Sequence, residues 1–268
     1  MLKFRSIALL AGVTLLGTAC GPEASETQAP VMSWEEFQAN AYQDSEGKVI
    51  IDGDLAFDSK EELKAFYDEN IANDTGSAEG GLAVYYLNGA DVKWSTTQRQ
   101  NLTYCVSSGS FGSRYSTTVS AMSSAAAAWE ATAGINFIHS SGYDSNCNQY
   151  QTGVLFDVRQ TSDTSYLARA FFPNSSRSGR NVLISTSAFS PSRYSLTGIL
   201  RHELGHVLGF RHEHTRSTAS GCYEDANWRA LTSYDRYSVM HYPQCNGLNT
   251  GDLVLTSLDQ SGARALYP

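Results

Sequence analysis

Three histidines and one glutamate lie within eleven consecutive positions in the C-terminal half of the chain. His202 and His206 are four residues apart, so on a helix they share one face, and Glu203 adjoins the first of them. Gly209 favours the end of that helix, because glycine adopts a positive φ without a steric clash, and the returning chain can bring His212 to the same place. Three imidazole ligands, an open position and an adjacent carboxylate are typical of a catalytic site that holds one Zn²⁺.

Hydrolysis is the chemistry that this arrangement would perform. A zinc ion makes water a nucleophile at neutral pH, and Glu203 would take the proton as general base and pass it to the leaving amine. We therefore predict a zinc-dependent endopeptidase that hydrolyses peptide bonds in proteins. Two alternatives stay open: a metallo-amidase that acts on cell-wall peptides, and a non-catalytic surface protein that zinc stabilises. The second is disfavoured because a purely structural zinc site needs no base.

A second motif follows the histidines, where residues 238–242 read Ser-Val-Met-His-Tyr. The pattern HExxHxxGxxH followed by a methionine-containing turn resembles the metzincin clan of zinc endopeptidases. Glu213, directly after the third histidine, and Tyr242, two residues after Met240, are similar to the astacin family. The resemblance implies that Met240 packs beneath the zinc. It also implies that Tyr242 is a fifth, displaceable zinc ligand that can move off to bind the oxyanion.

The hydrophobic pattern of the C-terminal two-thirds predicts both strands and helices. Residues 117–132 place apolar side chains on one helical face, and the zinc helix is expected to begin near Ser195 or Thr197. A capping pattern at Ser257 predicts one more helix. The predicted strands cover residues 93–94, 101–106, 136–139, 154–159, 167–172 and 181–185.

This order of elements is similar to metzincins, and the ARAFFP stretch at residues 168–173 resembles matrixins in particular. The resemblance implies an α+β fold in which a twisted mixed sheet and two long helices lie above a small, mostly irregular C-terminal subdomain. In metzincins an edge strand borders the cleft, and here the segment from Leu167 to Phe172 is the candidate. A protein or peptide substrate would lie extended along it and pair with its main chain. A plain strand without a ligand is the alternative.

The first twenty residues are typical of an export signal. Lys3 and Arg5 precede an apolar run, residues 7–16, that is too short to span a membrane. Small residues before Cys20 resemble a bacterial lipoprotein signal, in which the cysteine is lipidated and becomes the mature N-terminus. We predict an exported protein, either an outer-membrane lipoprotein that meets the membrane only through its lipid anchor or, after ordinary signal cleavage, a secreted extracellular protein.

Charge divides the rest of the chain. Residues 21–92 carry 3 basic and 16 acidic side chains, a net charge of −13, whereas residues 93–268 carry 14 and 11, a net charge of +3. The acidic part is either a prosegment that docks on the downstream domain and inhibits it, or a soluble leader. The balance of +3 is too weak to indicate a nucleic-acid partner.

We divide the chain into a signal peptide (1–20), an acidic prosegment with its linker (21–81) and a zinc-dependent catalytic domain (82–268). In the prosegment, capping patterns at Ser33 and Ser59 predict short helices, residues 48–51 and 55–57 a hairpin or a bent strand, and residues 73–81 a protease-accessible linker. Residues 51–55 (IDGDL) resemble the FxGD stretch of astacin prosegments. The resemblance implies that Asp54 is an inhibitory zinc ligand in the zymogen; an ordinary Gly-Asp turn is the alternative.

Five cysteines are present, and four remain if Cys20 is lipidated. An even number in an exported protein predicts two disulfides, with three pairings open. We favour the local pairing, Cys105–Cys147 and Cys222–Cys245. The second bond would cross-link the loop between His212 and the methionine turn.

Overall fold

The computed structural model describes residues 33–51, 53–70, 81–190, 193–215 and 228–268. The predicted signal peptide with Cys20, most of the predicted linker, and Cys222 lie outside these residues. Among the helices of the described residues, none is long and apolar enough to cross a membrane. The helices are α1 (Trp34–Ala39), α2 (Lys60–Asn70), α3 (Ser108–Phe111), α4 (Tyr115–Glu130), α5 (Leu196–Val207) and α6 (Ser257–Leu266). The strands are β1 (Tyr42–Gln43), β2 (Val49–Ile51), β3 (Leu55–Phe57), β4 (Gly81–Leu87), β5 (Ala90–Asp91), β6 (Leu102–Val106), β7 (Phe137–His139), β8 (Phe156–Thr161), β9 (Ala168–Arg169), β10 (Asn181–Ser185) and β11 (Trp228–Thr232).

A mixed sheet of five strands lies at the centre of the fold, in the order β7-β6-β8-β10-β9. All neighbouring strands are parallel except β9, which runs antiparallel to β10 and forms one edge. Together with the helices, this sheet confirms the predicted α+β class. Only Ala168 and Arg169 of the predicted strand at residues 167–172 pair with β10, so that strand is shorter than expected.

The two long helices, α4 and α5, pack against each other and share the main core with one face of the sheet. Trp129 of α4 is fully buried at their contact. Its indole Nε1 donates to the backbone oxygen of Arg201 at 2.9 Å, and its ring stacks on Phe210 with centroids 5.4 Å apart. Because α5 carries His202 and His206, this packing fixes two of the three histidines.

Residues 33–70 contain α1, α2 and a three-stranded antiparallel sheet, β1-β2-β3. The predicted capping box at Ser33 is present: its hydroxyl accepts from the Glu36 N–H, and the Glu36 carboxylate accepts from the Ser33 N–H. The predicted hairpin is confirmed as β2 and β3, in which Ile51 faces Leu55. An aromatic cluster from this segment extends onto the following part of the chain and includes Tyr85 and Phe172. The segment therefore packs on the downstream domain.

A second three-stranded sheet, β11-β4-β5, was not expected from the sequence. The loop between His212 and Met240 has no obvious secondary-structure pattern in the sequence, but it contains β11, which pairs with β4 so that Ala230 faces Ala83. The strand predicted at residues 93–94 was wrong. Trp94 lies in an irregular segment, where its indole Nε1 donates to the backbone oxygen of Val207 at 2.7 Å.

The last helix, α6, begins after Thr256, one residue before the predicted cap. Thr256 Oγ1 accepts from the Asp259 N–H at 3.1 Å, and Asp259 Oδ2 accepts from the Thr256 N–H at 3.0 Å. Between α5 and α6 the described residues are mostly irregular, as predicted for the C-terminal subdomain.

Candidate metal centre

Helix α5, which carries His202 and His206, begins after a capping serine and ends before a glycine. Ser195 is the N-cap, and its hydroxyl accepts from the Gly198 N–H at 3.1 Å. The helix stops before Gly209, which has φ +97°. A Cβ on Gly209 would lie 2.3 Å from the backbone oxygen of Val92, so only glycine fits this turn. The turn reverses the chain and returns His212 toward α5.

Replacing Gly209 with alanine is expected to destabilise the fold by about 2–4 kcal/mol, because strain at a positive φ adds to the clash with a backbone oxygen. Thermal unfolding followed by circular dichroism measures this loss. Gly109→Ala is the matched control, since a Cβ there meets no atom within 4 Å. Equal melting temperatures for the two variants would contradict the role of this turn.

The three histidines point their Nε2 atoms at one another. Nε2 of His212 lies 3.3 Å from Nε2 of His202 and 3.1 Å from Nε2 of His206. Nδ1 of His202 donates to the backbone oxygen of Val239, and Nδ1 of His206 donates to that of Phe210, each at 2.8 Å. Because Nδ1 carries the proton in both rings, their Nε2 lone pairs face the common centre.

This donor set fits a zinc ion. Lone pairs so close to one another repel unless a cation lies between them, and neutral imidazole is the form that binds a metal. Burial lowers the pKa of His206 to about 4, which keeps the ring neutral. One ligand atom from each of the three histidines and from Asp54 lies within 4.8 Å of the others, and all four residues are buried. The residues present therefore can hold one metal ion.

Asp54 lies in the β2–β3 hairpin, immediately before β3, and enters the same centre. Its Oδ1 lies 3.1 Å from Nε2 of His212, and its Oδ2 lies 3.2 Å from Nε2 of His202 and 3.7 Å from that of His206. The Tyr242 hydroxyl donates to Oδ2 of the same carboxylate. The carboxylate thus lies where a fourth ligand would bind, at the position that a hydrolytic water needs.

Glu203 is buried beside the histidines, and its Oε2 has no hydrogen-bond partner among the residues that the structure describes. Burial raises the pKa of Glu203 well above its ordinary value, and the negative charge of Asp54 raises it further. Glu203, His202 and Tyr242 line one cavity of about 220 Å³, which Tyr166 also borders. A carboxyl group placed in this way can exchange a proton with a molecule in the cavity.

A family model for matrixin peptidases (Peptidase M10) matches residues 93–241, which is more than half of the chain. The chain belongs to the matrixin family. Matrixins are zinc metalloendopeptidases of the metzincin clan, so the predicted clan, enzyme class and cofactor are confirmed at the level of the family.

Two groups of known proteins are similar to this chain, and they match it over stretches of different length. High choriolytic enzymes 2 and 1 of Oryzias latipes are each 38% identical over 63 residues, 17% of this chain, and the match spans only 22–23% of their own length. A structure of myroilysin has 18% identity and a TM-score of 0.49, and covers 69% of this chain and 98% of that one. The structure of high choriolytic enzyme 1 has 20% identity and a TM-score of 0.42, and covers 65% of this chain and 96% of that one.

The methionine turn of this matrixin lies against the zinc helix. Met240 is fully buried, and a Cβ on Gly205 would lie 2.3 Å from its Sδ, so the glycine leaves the room that Met240 occupies. The preceding residue, Val239, provides the oxygen that accepts from His202. The Met240 oxygen accepts from the Glu213 N–H at 2.8 Å. The turn thus contacts the segments that carry two of the histidines.

A buried carboxylate on α6 holds this turn, a role that the sequence did not reveal. Asp259 accepts from the Ser238 hydroxyl at 2.5 Å and from the Val239 N–H at 2.9 Å, in addition to its bond at the helix cap. Asp259→Ala is expected to lower stability by about 2–4 kcal/mol, because it removes a helix cap and leaves buried donors unsatisfied. Chemical denaturation measures the change, and Asp252→Ala, at an exposed position nearby, is the control. Equal unfolding free energies would contradict this role.

Two further histidines near the centre, His214 and His241, are buried. The His214 ring stacks on His212 with centroids 4.6 Å apart and planes 16° apart, and its Nδ1 accepts from the Tyr242 N–H at 3.3 Å. Nε2 of His241 lies 2.7 Å from the Tyr234 hydroxyl. His214 therefore fixes the plane of His212, and only the pattern His-Glu-His at residues 212–214 could have suggested it.

The structure joins Cys105 and Cys147 by a disulfide that links β6 to the loop before β8. Cys245 is also disulfide-bonded, and its partner lies outside the described residues. The pairing of Cys245 with Cys222 stays a prediction.

Proposed function

We propose that this chain is an exported zymogen whose catalytic domain, residues 82–268, hydrolyses peptide bonds in proteins, with Glu203 as general base. The observation that carries the proposal is the convergence of three imidazole nitrogens beside a buried carboxyl group that has no described hydrogen-bond partner at Oε2. Membership of the matrixin family supports the same reaction class. A site that only stabilised the fold would not need this carboxyl group.

Each group of the site has a task in this reaction. A zinc ion bound by the three histidines supplies Lewis acidity, which acidifies water and polarises a peptide carbonyl. Glu203 takes a proton from the attacking water and gives it to the leaving amine. The Tyr242 hydroxyl, which donates to Asp54 in the zymogen, would instead donate to the substrate carbonyl oxygen as negative charge develops there.

The substrate is proposed to lie extended along β9. This strand is the edge of the main sheet, and the cavity beside the histidines is bordered by residues 165–168, just before and within it. In the zymogen, Leu55 forms a parallel bridge with Ala170 at this edge. The prosegment thus occupies main-chain pairing positions that a substrate needs.

Activation follows from the order of the segments. Asp54 and the pairing at Ala170 occupy the cleft, so cleavage in the linker at residues 73–81 and departure of the prosegment would open it. The signal at residues 1–20 directs export, and lipidation of Cys20 would tether the zymogen through its prosegment, so the same cut would release the enzyme. Mass spectrometry of the active form tests this: an active species that still carries acylated Cys20 would contradict release.

Hydrolysis of casein by the cleaved chain, blocked by a chelator and restored by zinc, is the direct test of the proposed function. Loss of turbidity of a peptidoglycan suspension without casein cleavage would indicate the metallo-amidase instead. Zinc binding with neither activity would indicate the non-catalytic surface protein.

A further inference from the structure

The face of the main sheet opposite the core carries an ordered row of three side chains. Strand alternation points Val158 and Val182 into the core and turns their neighbours to the other face. In register, Leu183 of β10 lies beside Arg159 of β8 on one side and Arg169 of β9 on the other. We call these three residues the Arg159–Leu183–Arg169 row. A partner that matches this row needs an apolar group between two negatively charged groups.

The prosegment covers this row with a complementary pattern. Asp44 Oδ2 accepts from Nε of Arg169 at 2.8 Å, and both side chains are fully buried. Glu46 accepts from both terminal nitrogens of Arg159, one of them at 2.9 Å, and lies 3.7 Å from Arg169. Ile50 is fully buried against Leu183. Each side chain of the row thus has its own partner: a carboxylate for each arginine and an apolar side chain for the leucine.

The prosegment supplies the carboxylates that contact Arg169 directly. Arg159 and Arg177 share Asp157, at 2.6 Å and 2.8 Å, so these two arginines have a carboxylate partner within the downstream domain. Asp44 and Glu46 are the acidic partners of Arg169. When the prosegment leaves, Arg169 keeps a bond to the Asn181 side chain at 2.7 Å but loses its carboxylate partners. A guanidinium group that has lost its carboxylate partners favours a new anion in that place.

The row adjoins the cleft through one residue. Tyr166 packs with Leu183 and Ile50 on this face, and it also borders the cavity that contains His202 and Glu203. A polypeptide that passes through the cleft along β9 can therefore place a neighbouring segment on the row without leaving the surface of the sheet.

We propose that the Arg159–Leu183–Arg169 row, once free of the prosegment, is a recognition site for an acidic stretch of the substrate polypeptide that presents an apolar side chain between two carboxylates. The inference rests on the proposed function, because it assumes a polypeptide substrate in the cleft. The prosegment imitates that substrate at the row, and the site selects substrates by charge in addition to the main-chain pairing at β9.

Peptide binding tests the row without catalysis. The probe is a fluorescent peptide of residues 40–51, which contains Asp44, Glu46 and Ile50 but not Asp54, and its partner is the full-length Glu203→Gln chain, cleaved in the linker and freed of its prosegment. We expect the probe to bind at least about tenfold more tightly than a peptide with Asn at 44 and Gln at 46, since hydrogen bonds between charged groups contribute that much. Equal affinity of the two peptides, a comparison that needs no change in the row, would overturn the proposal.

Variants of the protein then test whether Arg169 causes the difference in affinity between the two peptides. Arg169→Gln is expected to abolish the difference between the two peptides, and Arg169→Lys to keep part of it. Arg229→Gln is the matched control, because it removes an arginine paired with Asp91 on the other sheet, and it should keep the full difference. A difference that survives in Arg169→Gln would contradict the assignment.

Cleavage of a mixture of proteome-derived peptides by the active, cleaved chain extends the test to substrates. Mass spectrometry should find acidic residues enriched at a fixed distance from the cut bond, and Arg169→Gln should lose this enrichment. Cuts without such enrichment would overturn the inference but not the proposed function. Absence of any cut would contradict the proposed function, while the binding comparison would still decide the role of the row.

Discussion

Replacing Glu203 with glutamine is expected to lower kcat/KM for peptide hydrolysis by about 10²- to 10⁴-fold while zinc stays bound. An amide of the same shape cannot accept the proton of the attacking water, and positioned general bases contribute rate factors of this size. The three histidines are the proposed zinc ligands, so the metal content should not change. Hydrolysis of a quenched fluorescent peptide and elemental analysis of the same preparation measure the two quantities.

Glu130→Gln is the control for this loss. Glu130 lies on α4, away from the cavity, and its carboxylate accepts from the Phe137 N–H at 2.7 Å, a bond that an amide oxygen can also accept. This variant should keep its activity. Normal turnover by a clean preparation of Glu203→Gln would remove Glu203 from the mechanism.

Replacing Asp54 with alanine should make the uncleaved chain active. The Asp54 carboxylate contacts all three Nε2 atoms and the Tyr242 hydroxyl, so it holds the position that water and substrate need. Without it, we expect the intact chain to hydrolyse a small peptide at least about 100-fold faster than the intact wild type, since loss of a ligand that excludes water amounts to several kcal/mol. Gel analysis after the assay must show that the linker is uncut.

Asp58→Asn distinguishes loss of the ligand from loosening of the prosegment. Asp58 lies just after β3, where it pairs with Lys48 and accepts from the Ser176 hydroxyl at 3.1 Å, away from the histidines. This change should leave the intact chain inactive. If both variants were equally active, the Asp54 carboxylate would not be the inhibitory group.

The metal centre could be predicted from the sequence because its key residues are local. His202, Glu203, His206 and Gly209 are arranged by the geometry of one helix and its end, which spacing alone specifies. Asp54 is more than 140 positions away from them, so only the resemblance of a five-residue stretch connected it with the site.

Long-range pairing explains what the sequence did not reveal. The sheet of β4 and β11 depends on two segments that lie far apart in the chain, and neither has a turn or alternation that identifies its partner. The Arg159–Leu183–Arg169 row depends on the register of three strands, which periodicity does not specify. The net charge of −13 over residues 21–92 did indicate the sign of the contact, because Asp44 pairs with Arg169 and Glu46 with Arg159.

Zinc content is the most direct test of the central claim, that His202, His206 and His212 together bind one catalytic ion. Elemental analysis of the purified full-length chain should find one zinc per chain, and His212→Ala, checked for folding by circular dichroism, should retain far less. A folded wild-type chain without bound metal, or a folded His212→Ala variant with a full equivalent of zinc, would contradict the account.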